Sequence, residues 1–192
     1  MGKLIARFIF WITGWKVDEN FPKDQKKYVI AAAPHTSNWD FLYAMCAFKI
    51  IGINMRFTIK KEWLKFPFKG LMLSMGAIPI DRRPKKEGEE RPSMTQVMTD
   101  LFEKYDELAL LVTPEGTRSP VSKWKTGFYY VALNAGVPIY LGYGDYKRKV
   151  AGVGKIIYPT GDFEKDMGEF MDFYMQIGAK HPEKFLPDER FV

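Results

Sequence analysis

Cysteine and histidine are nearly absent from this chain: its 192 residues include one cysteine, Cys46, and two histidines, His35 and His181. A lone cysteine excludes an internal disulfide framework and fits a reducing compartment. One thiol and two imidazoles cannot assemble a His/Cys zinc cluster; a carboxylate-rich Mg²⁺ or Ca²⁺ site stays open, but no run has the spacing of a calcium loop and no metal-ligating residues are singled out. Also missing is an apolar run long enough to cross a bilayer. The most hydrophobic stretch, residues 4–15, would be about 18 Å long as a helix, against a hydrocarbon core of about 30 Å. Arg7 interrupts that stretch and no small-residue cleavage site follows it, which argues against a signal peptide. Internal repeats are lacking too, so a solenoid or array is not expected.

What remains is a basic, aromatic, otherwise ordinary globular composition. Hydrophobic residues make up 46%, aromatic ones 16% and charged ones 27%, with a net charge of +6. Such a surface suits an anionic partner with apolar parts. Nucleic acid is not expected, because no recognised motif occurs and Lys and Arg are scattered. Leu4, Phe8, Trp11, Ile12 and Trp15 follow the helical period, with Ile5 and Ile9 widening that face and Lys3, Arg7 and Lys16 flanking it. A broad apolar face with Trp and cations at its borders predicts an amphipathic helix over residues 1–17, lying in a lipid interface or packed on the domain's own core, ahead of a folded domain over residues 18–192. Attachment would be peripheral, through residues 3–15, at the cytoplasmic face of a membrane.

Along the domain, strand-like and helix-like segments alternate. Residues 28–33, 56–60, 77–80, 108–112, 137–141 and 150–158 read as strands. Residues 38–53, 93–105 and 127–135 read as helices, residues 62–75 as two short helices broken at Pro67, and Phe163 to Ile177 as one face of a final amphipathic helix. The pattern predicts a single α/β domain with a largely parallel sheet flanked by helices.

Three polar elements fall where strands end. Pro34-His35-Thr36-Ser37-Asn38-Trp39-Asp40 joins a strand to a helix that Ser37 or Asn38 is placed to cap. Asp40 then lies in the first helical turn and reaches back toward His35. A carboxylate on one ring nitrogen fixes the tautomer and leaves the other nitrogen as a base. Pro114-Glu115-Gly116-Thr117-Arg118-Ser119 follows the strand at 108–112; Gly116 admits a ligand to the backbone, the hydroxyls donate, and the Arg118 fork suits phosphate. Gly76-Ala77-Ile78-Pro79-Ile80-Asp81-Arg82 ends a short strand in an Asp-Arg pair. In open α/β sheets ligands bind outside the carboxyl ends of the strands. Ser37 lacks the glycine pattern of a nucleophile elbow and is not read as a covalent nucleophile. Beyond the third element, Arg82, Arg83, Lys85 and Lys86 are offset by Glu87, Glu89 and Glu90, which reads as a solvated charge run.

Together with Val137-Pro138-Ile139, these blocks resemble, over residues 28–142, the glycerolipid acyltransferase family that includes the 1-acylglycerol-3-phosphate acyltransferases. The resemblance implies a one-domain α/β fold and transfer of a fatty acyl group from a coenzyme A or acyl-carrier-protein thioester to the hydroxyl of a lysophospholipid, with 1-acyl-sn-glycerol-3-phosphate the favoured acceptor. No cofactor is implied beyond the thioester co-substrate, and the partners are the lipid surface, the acyl donor and the lyso-lipid. By the family's roles His35 deprotonates the hydroxyl and Asp40 orients its imidazole, while Arg82, Glu115, Gly116, Thr117 and Arg118 hold the polar head. The chain departs from the family's pattern at Pro34, where Asn is usual, at Thr113, where Phe is usual, and at Tyr140-Leu141-Gly142, where a second proline is common. A lyso-lipid with another headgroup, such as an amino acid, stays open as the acceptor, as do a thioester hydrolase and a non-catalytic lipid binder.

Overall fold

Short apolar runs bounded by Pro, Gly and charged residues form the centre of the molecule. The computed structural model describes residues 2–19, 22, 24–81 and 92–192. Seven strands, β1 (Lys16–Asp18), β2 (Lys27–Ala32), β3 (Met55–Lys60), β4 (Ala77–Ile80), β5 (Leu108–Val112), β6 (Ile139–Asp145) and β7 (Val150–Ile157), make one sheet in the order β1-β7-β6-β2-β5-β3-β4. All neighbours are parallel except β6 and β7, which form an antiparallel hairpin. The fold is therefore a single-domain α/β fold with a mostly parallel sheet, as the alternation of segments predicts.

The central strands are buried on both faces, which is why they read as continuous apolar runs. Val29 and Ala31 of β2, with Leu108 and Leu110 of β5, face a core shared with α4 (Met94–Lys104), α5 (Gly127–Ala135) and α6 (Phe163–Met175). Their alternates Tyr28, Ile30 and Ala109 face the other side, under Phe48 of α2 (Asn38–Ile51). Inside the first core, the Tyr174 hydroxyl of α6 donates to Ala31 O at 2.5 Å and Gly142 O at 3.1 Å, tying a helix to two adjacent strands.

On the second face α1 (Lys3–Thr13) lies against α2, burying Ala6 and Phe10 among Tyr43, Cys46, Ala47 and Ile50. Gly14, in the left-handed region at φ 72°, ends the helix and donates to Phe10 O and Trp11 O. That reversal turns Trp15 inward. Instead of sharing the apolar stripe of the helix, its ring is buried and stacked on Tyr43 with centroids 4.1 Å apart. Leu4, Ile5, Phe8, Trp11 and Ile12 stay exposed. No helix among the described residues is long and apolar enough to cross a membrane.

Beyond α2 on the same face, α3 (Lys69–Ser74) leads into β4, the outermost strand, which carries Pro79 with its ring exposed. Arg82 and the charge run that follows it lie outside the described residues.

Candidate active site

Because β2, β5 and β6 are parallel neighbours, the loops leaving them open on one edge of the sheet. The loop after β2 carries His35. Ser37 caps α2, its Oγ accepting from Trp39 N at 3.2 Å, and Asp40 completes a capping box. Asp40 Oδ2 accepts the backbone N–H groups of Thr36 at 2.6 Å and Ser37 at 2.7 Å. The same oxygen lies 3.8 Å from His35 Nδ1. The dyad thus faces together at ion-pair distance, slightly beyond a hydrogen bond, as catalytic pairs without substrate often do. The local helix signal and the chemical signal share one cause: the carboxylate that caps the helix also faces the imidazole.

Burial lowers the His35 pKa, and the nearby Arg118 charge lowers it further, against the upward pull of Asp40. The imidazole is therefore neutral near pH 7, the state a general base requires. Its Nδ1 faces Asp40, which leaves Nε2 on the side of the ring away from that carboxylate.

The loop after β5 brings the Glu115–Arg118 run beside this dyad, and its members divide. Glu115 is buried, 5% exposed, and its Oε2 accepts the His35 amide at 2.6 Å. Burial pushes its pKa up to about 8, the His35 amide pulls it down, and the charge of Asp40 raises it. The Glu115 carboxyl therefore braces the histidine loop from below. Gly116, Thr117 and Arg118 are exposed at the mouth, Gly116 in the left-handed region at φ 68° with the Lys125 ammonium lying over it. Thr117 Oγ1 accepts Ser119 N at 3.2 Å. Arg82, the remaining residue expected here, lies outside the described residues.

Three further residues, Tyr146, Lys180 and His181, complete the surroundings and carry no motif signal. Tyr146, just past β6, donates its hydroxyl to Asp40 Oδ1 at 2.8 Å, and its pKa is raised by burial and by that bond, so it remains a donor. Trp15 meets the Tyr146 ring edge-on at 4.9 Å, and Tyr43 meets it at 5.9 Å. Lys180 lies over Trp39 at 4.9 Å and Tyr146 at 5.9 Å, while its neighbour His181 donates N–H to Thr36 Oγ1 at 3.3 Å. The C-terminal segment is thereby one wall of the site. Tyr146 is 106 positions from Asp40, and only the closing of the sheet brings them together.

Two spaces lie beside the dyad, a small apolar one and a larger groove whose lining mixes apolar side chains with Lys49, Asn54, Arg56 and Ser74. A small cavity of about 40 Å³ includes His35, Asp40, Phe41, Phe48 and Leu111 in its lining. A groove of about 440 Å³ between α2 and α3 begins at Asn38 and continues past Phe41, Met45, Phe48 and Met55. Phe41 and Phe48 line both. No group of three or more His, Cys, Asp or Glu among the described residues is arranged to hold a metal ion.

The sheet edge thus brings together an imidazole facing a carboxylate, a loop carrying Gly116 and Arg118, and a groove lined by apolar and polar side chains. The Acyltransferase family model matches residues 15–140, and the chain belongs to that family. It is similar to the 1-acyl-sn-glycerol-3-phosphate acyltransferase of Haemophilus influenzae, at 28% identity over 145 residues, covering 71% of this chain and 58% of that protein. The chain thus spans somewhat over half the length of that relative. Its fold is similar to the crystal structure of the 1-acyl-sn-glycerophosphate (LPA) acyltransferase PlsC from Thermotoga maritima, with a TM-score of 0.57 at 18% identity, covering 89% of this chain and 73% of that one. Tyr146, Lys180 and His181 fall beyond the span that the family model matches.

Proposed function

We propose that this protein transfers a fatty acyl group from a coenzyme A or acyl-carrier-protein thioester to the free hydroxyl of a lysophospholipid, with 1-acyl-sn-glycerol-3-phosphate as acceptor. The observation that carries the reading is the neutral, partly exposed His35 facing Asp40 on the same sheet edge as Arg118 and beside a groove lined in part by Phe41, Met45 and Phe48. A thioester is already activated, so the protein need supply no nucleophile of its own. His35 Nε2 takes the proton of the acceptor hydroxyl as its oxygen attacks the thioester carbonyl. The C–S bond breaks, and the proton passes from the imidazolium to the leaving thiolate, giving an ester and a free thiol. Asp40 orients the ring and stabilises its charged form. Arg118, with Gly116 and Thr117, receives the acceptor's phosphate; Glu115 acts on the polar head through the loop it braces; Arg82 is assigned to the same head by the family resemblance alone. The groove beside Asn38 suits an acyl chain.

Membrane association belongs to the same reading. The exposed apolar face of α1, with Lys3 and Arg7 beside it, suits peripheral seating in a lipid interface at the cytoplasmic face.

The test is purified protein given both donor classes and a panel of lyso-lipids, with products identified by mass spectrometry. Acylated lysophosphatidate should form, and His35→Ala should lower turnover at least about a hundredfold while the fold is retained. Near-normal transfer by that variant rejects His35 as the base. Arg118→Ala should impair the phosphate-bearing acceptor far more than one without phosphate; equal effects would point to a different headgroup. Free fatty acid without acylated acceptor would identify a hydrolase.

A further inference from the structure

Soluble surfaces rarely leave several large apolar side chains exposed along one short segment. Here the stretch between β3 and β4 exposes Phe66 (95%), Phe68, Leu71 and Leu73. Cations interleave with them: residues 60–75 contain Lys60, Lys61, Lys65 and Lys69 against one acidic residue, Glu62. Lys61 lies 3.7 Å from Asp81, while Lys65 and Lys69, next to the two phenylalanines, are exposed. The segment is on the face of the sheet that also carries α1 and α2. It bounds the far side of the groove whose near side is α2, so α1 and this segment flank α2 from opposite sides.

We propose that residues 60–75 form a second membrane-seating element, with Phe66 and Phe68 entering the interface of an anionic bilayer and Lys65 and Lys69 meeting its phosphates. Charge complementarity and placement argue for lipid. Aromatic tips beside ammonium groups match the layered polarity of an interface, apolar below and anionic above. Seating on both flanks of α2 also turns the groove toward the bilayer, so that a chain can pass from lipid into the protein without crossing water. The inference rests on the acyltransferase reading only in placing the substrate in a bilayer, and seating is measurable without any turnover.

The experiment is co-sedimentation with vesicles of equal parts phosphatidylcholine and phosphatidylglycerol, and with phosphatidylcholine alone. The full chain is compared with Phe66→Ser/Phe68→Ser, Lys65→Gln/Lys69→Gln and the α1-face variant Leu4→Ser/Trp11→Ser. All these side chains are exposed, and unchanged thermal unfolding verifies the fold. The double Phe variant should lose at least about tenfold in partitioning. The double Lys variant should lose about fivefold per lysine on the anionic vesicles and little on the neutral ones. Undiminished binding by Phe66→Ser/Phe68→Ser, with loss only in the α1-face variant, overturns the proposal and leaves α1 as the membrane contact. It is also overturned if the unaltered chain ignores both vesicles. A switch from dimer to monomer in the Phe variant, or loss of binding to an acidic carrier protein, with vesicle binding intact, assigns the patch to a protein instead. Vesicle binding that depends on Phe66 and Phe68 in a protein that forms no acyl ester supports the patch while rejecting the acyltransferase reading.

Discussion

Replacing Glu115 by Gln tests how the histidine loop is held. The carboxyl is buried beneath the loop, accepts the His35 amide at 2.6 Å, and feels the charge of Asp40. Burial raises its pKa from 4.5 to about 8. The unfolded chain releases this proton near pH 4.5, whereas the folded protein keeps it until near pH 8. The stability gained by holding the group neutral is therefore full below the lower value and is lost as pH rises through the upper one. Each pH unit in that window corresponds to about 1.4 kcal/mol, which gives a ceiling of about 5 kcal/mol. Water drawn in beside the ionised carboxylate relieves part of this, so a loss of about 2–4 kcal/mol is expected. Glutamine keeps a carbonyl for the His35 amide and does not titrate. Urea unfolding of both proteins from about pH 5 to about pH 9 should show the unaltered protein weakening against Glu115→Gln across the window. The histidine contributes oppositely: its lowered pKa gives stability present above 6.5 and lost toward acid, and being common to both proteins it cancels in the difference. A stability difference that stays constant with pH would refute the claim that a neutral carboxyl braces the loop.

Tyr146→Phe should lower kcat about three- to tenfold with little change in KM, because Asp40 loses one of its hydrogen bonds but keeps both backbone amides; an unchanged kcat, or a rise in KM alone, removes Tyr146 from the positioning of the dyad. Gly76→Ala should cost about 2–4 kcal/mol in urea unfolding. Gly76 sits at φ 97°, a Cβ there would run into the backbone oxygen of Met55, and its own carbonyl accepts Phe57 N and Arg56 Nε at 3.2 Å each. An unchanged midpoint would mean that β3 and β4 can part there at little cost.

The sequence makes the fold class legible because β2 and β5 are buried on both faces and so appear as unbroken apolar runs between polar loops. It conceals β1, three residues long and short of buried side chains. It also shortens β6, which runs on to Asp145 through Gly142 and Gly144. Gly142 looks like a strand breaker, yet a Cβ there would lie 3.0 Å from Ile30 and 3.2 Å from Phe48, so the glycine marks close packing inside a strand. Trp15 fits a helical stripe by spacing, but the stripe cannot register that Gly14 has already reversed the chain. In the site, His35 and Asp40 are legible because a capping box is local. The part played by Glu115 is not, since its partner is 80 positions away and a polar loop reads the same whether its carboxyl points into the cleft or beneath it. Tyr146 depends on the β6–β7 hairpin bringing its turn over α2, and nothing local announces that.

Pro79 on the outer strand has a further consequence. A strand from a neighbouring molecule that tried to lengthen the sheet past β4 would meet a pyrrolidine where it needs an amide hydrogen. The opposite margin offers only the three residues of β1. Blunt margins at both ends of the sheet deny neighbouring copies a ladder along which to polymerise.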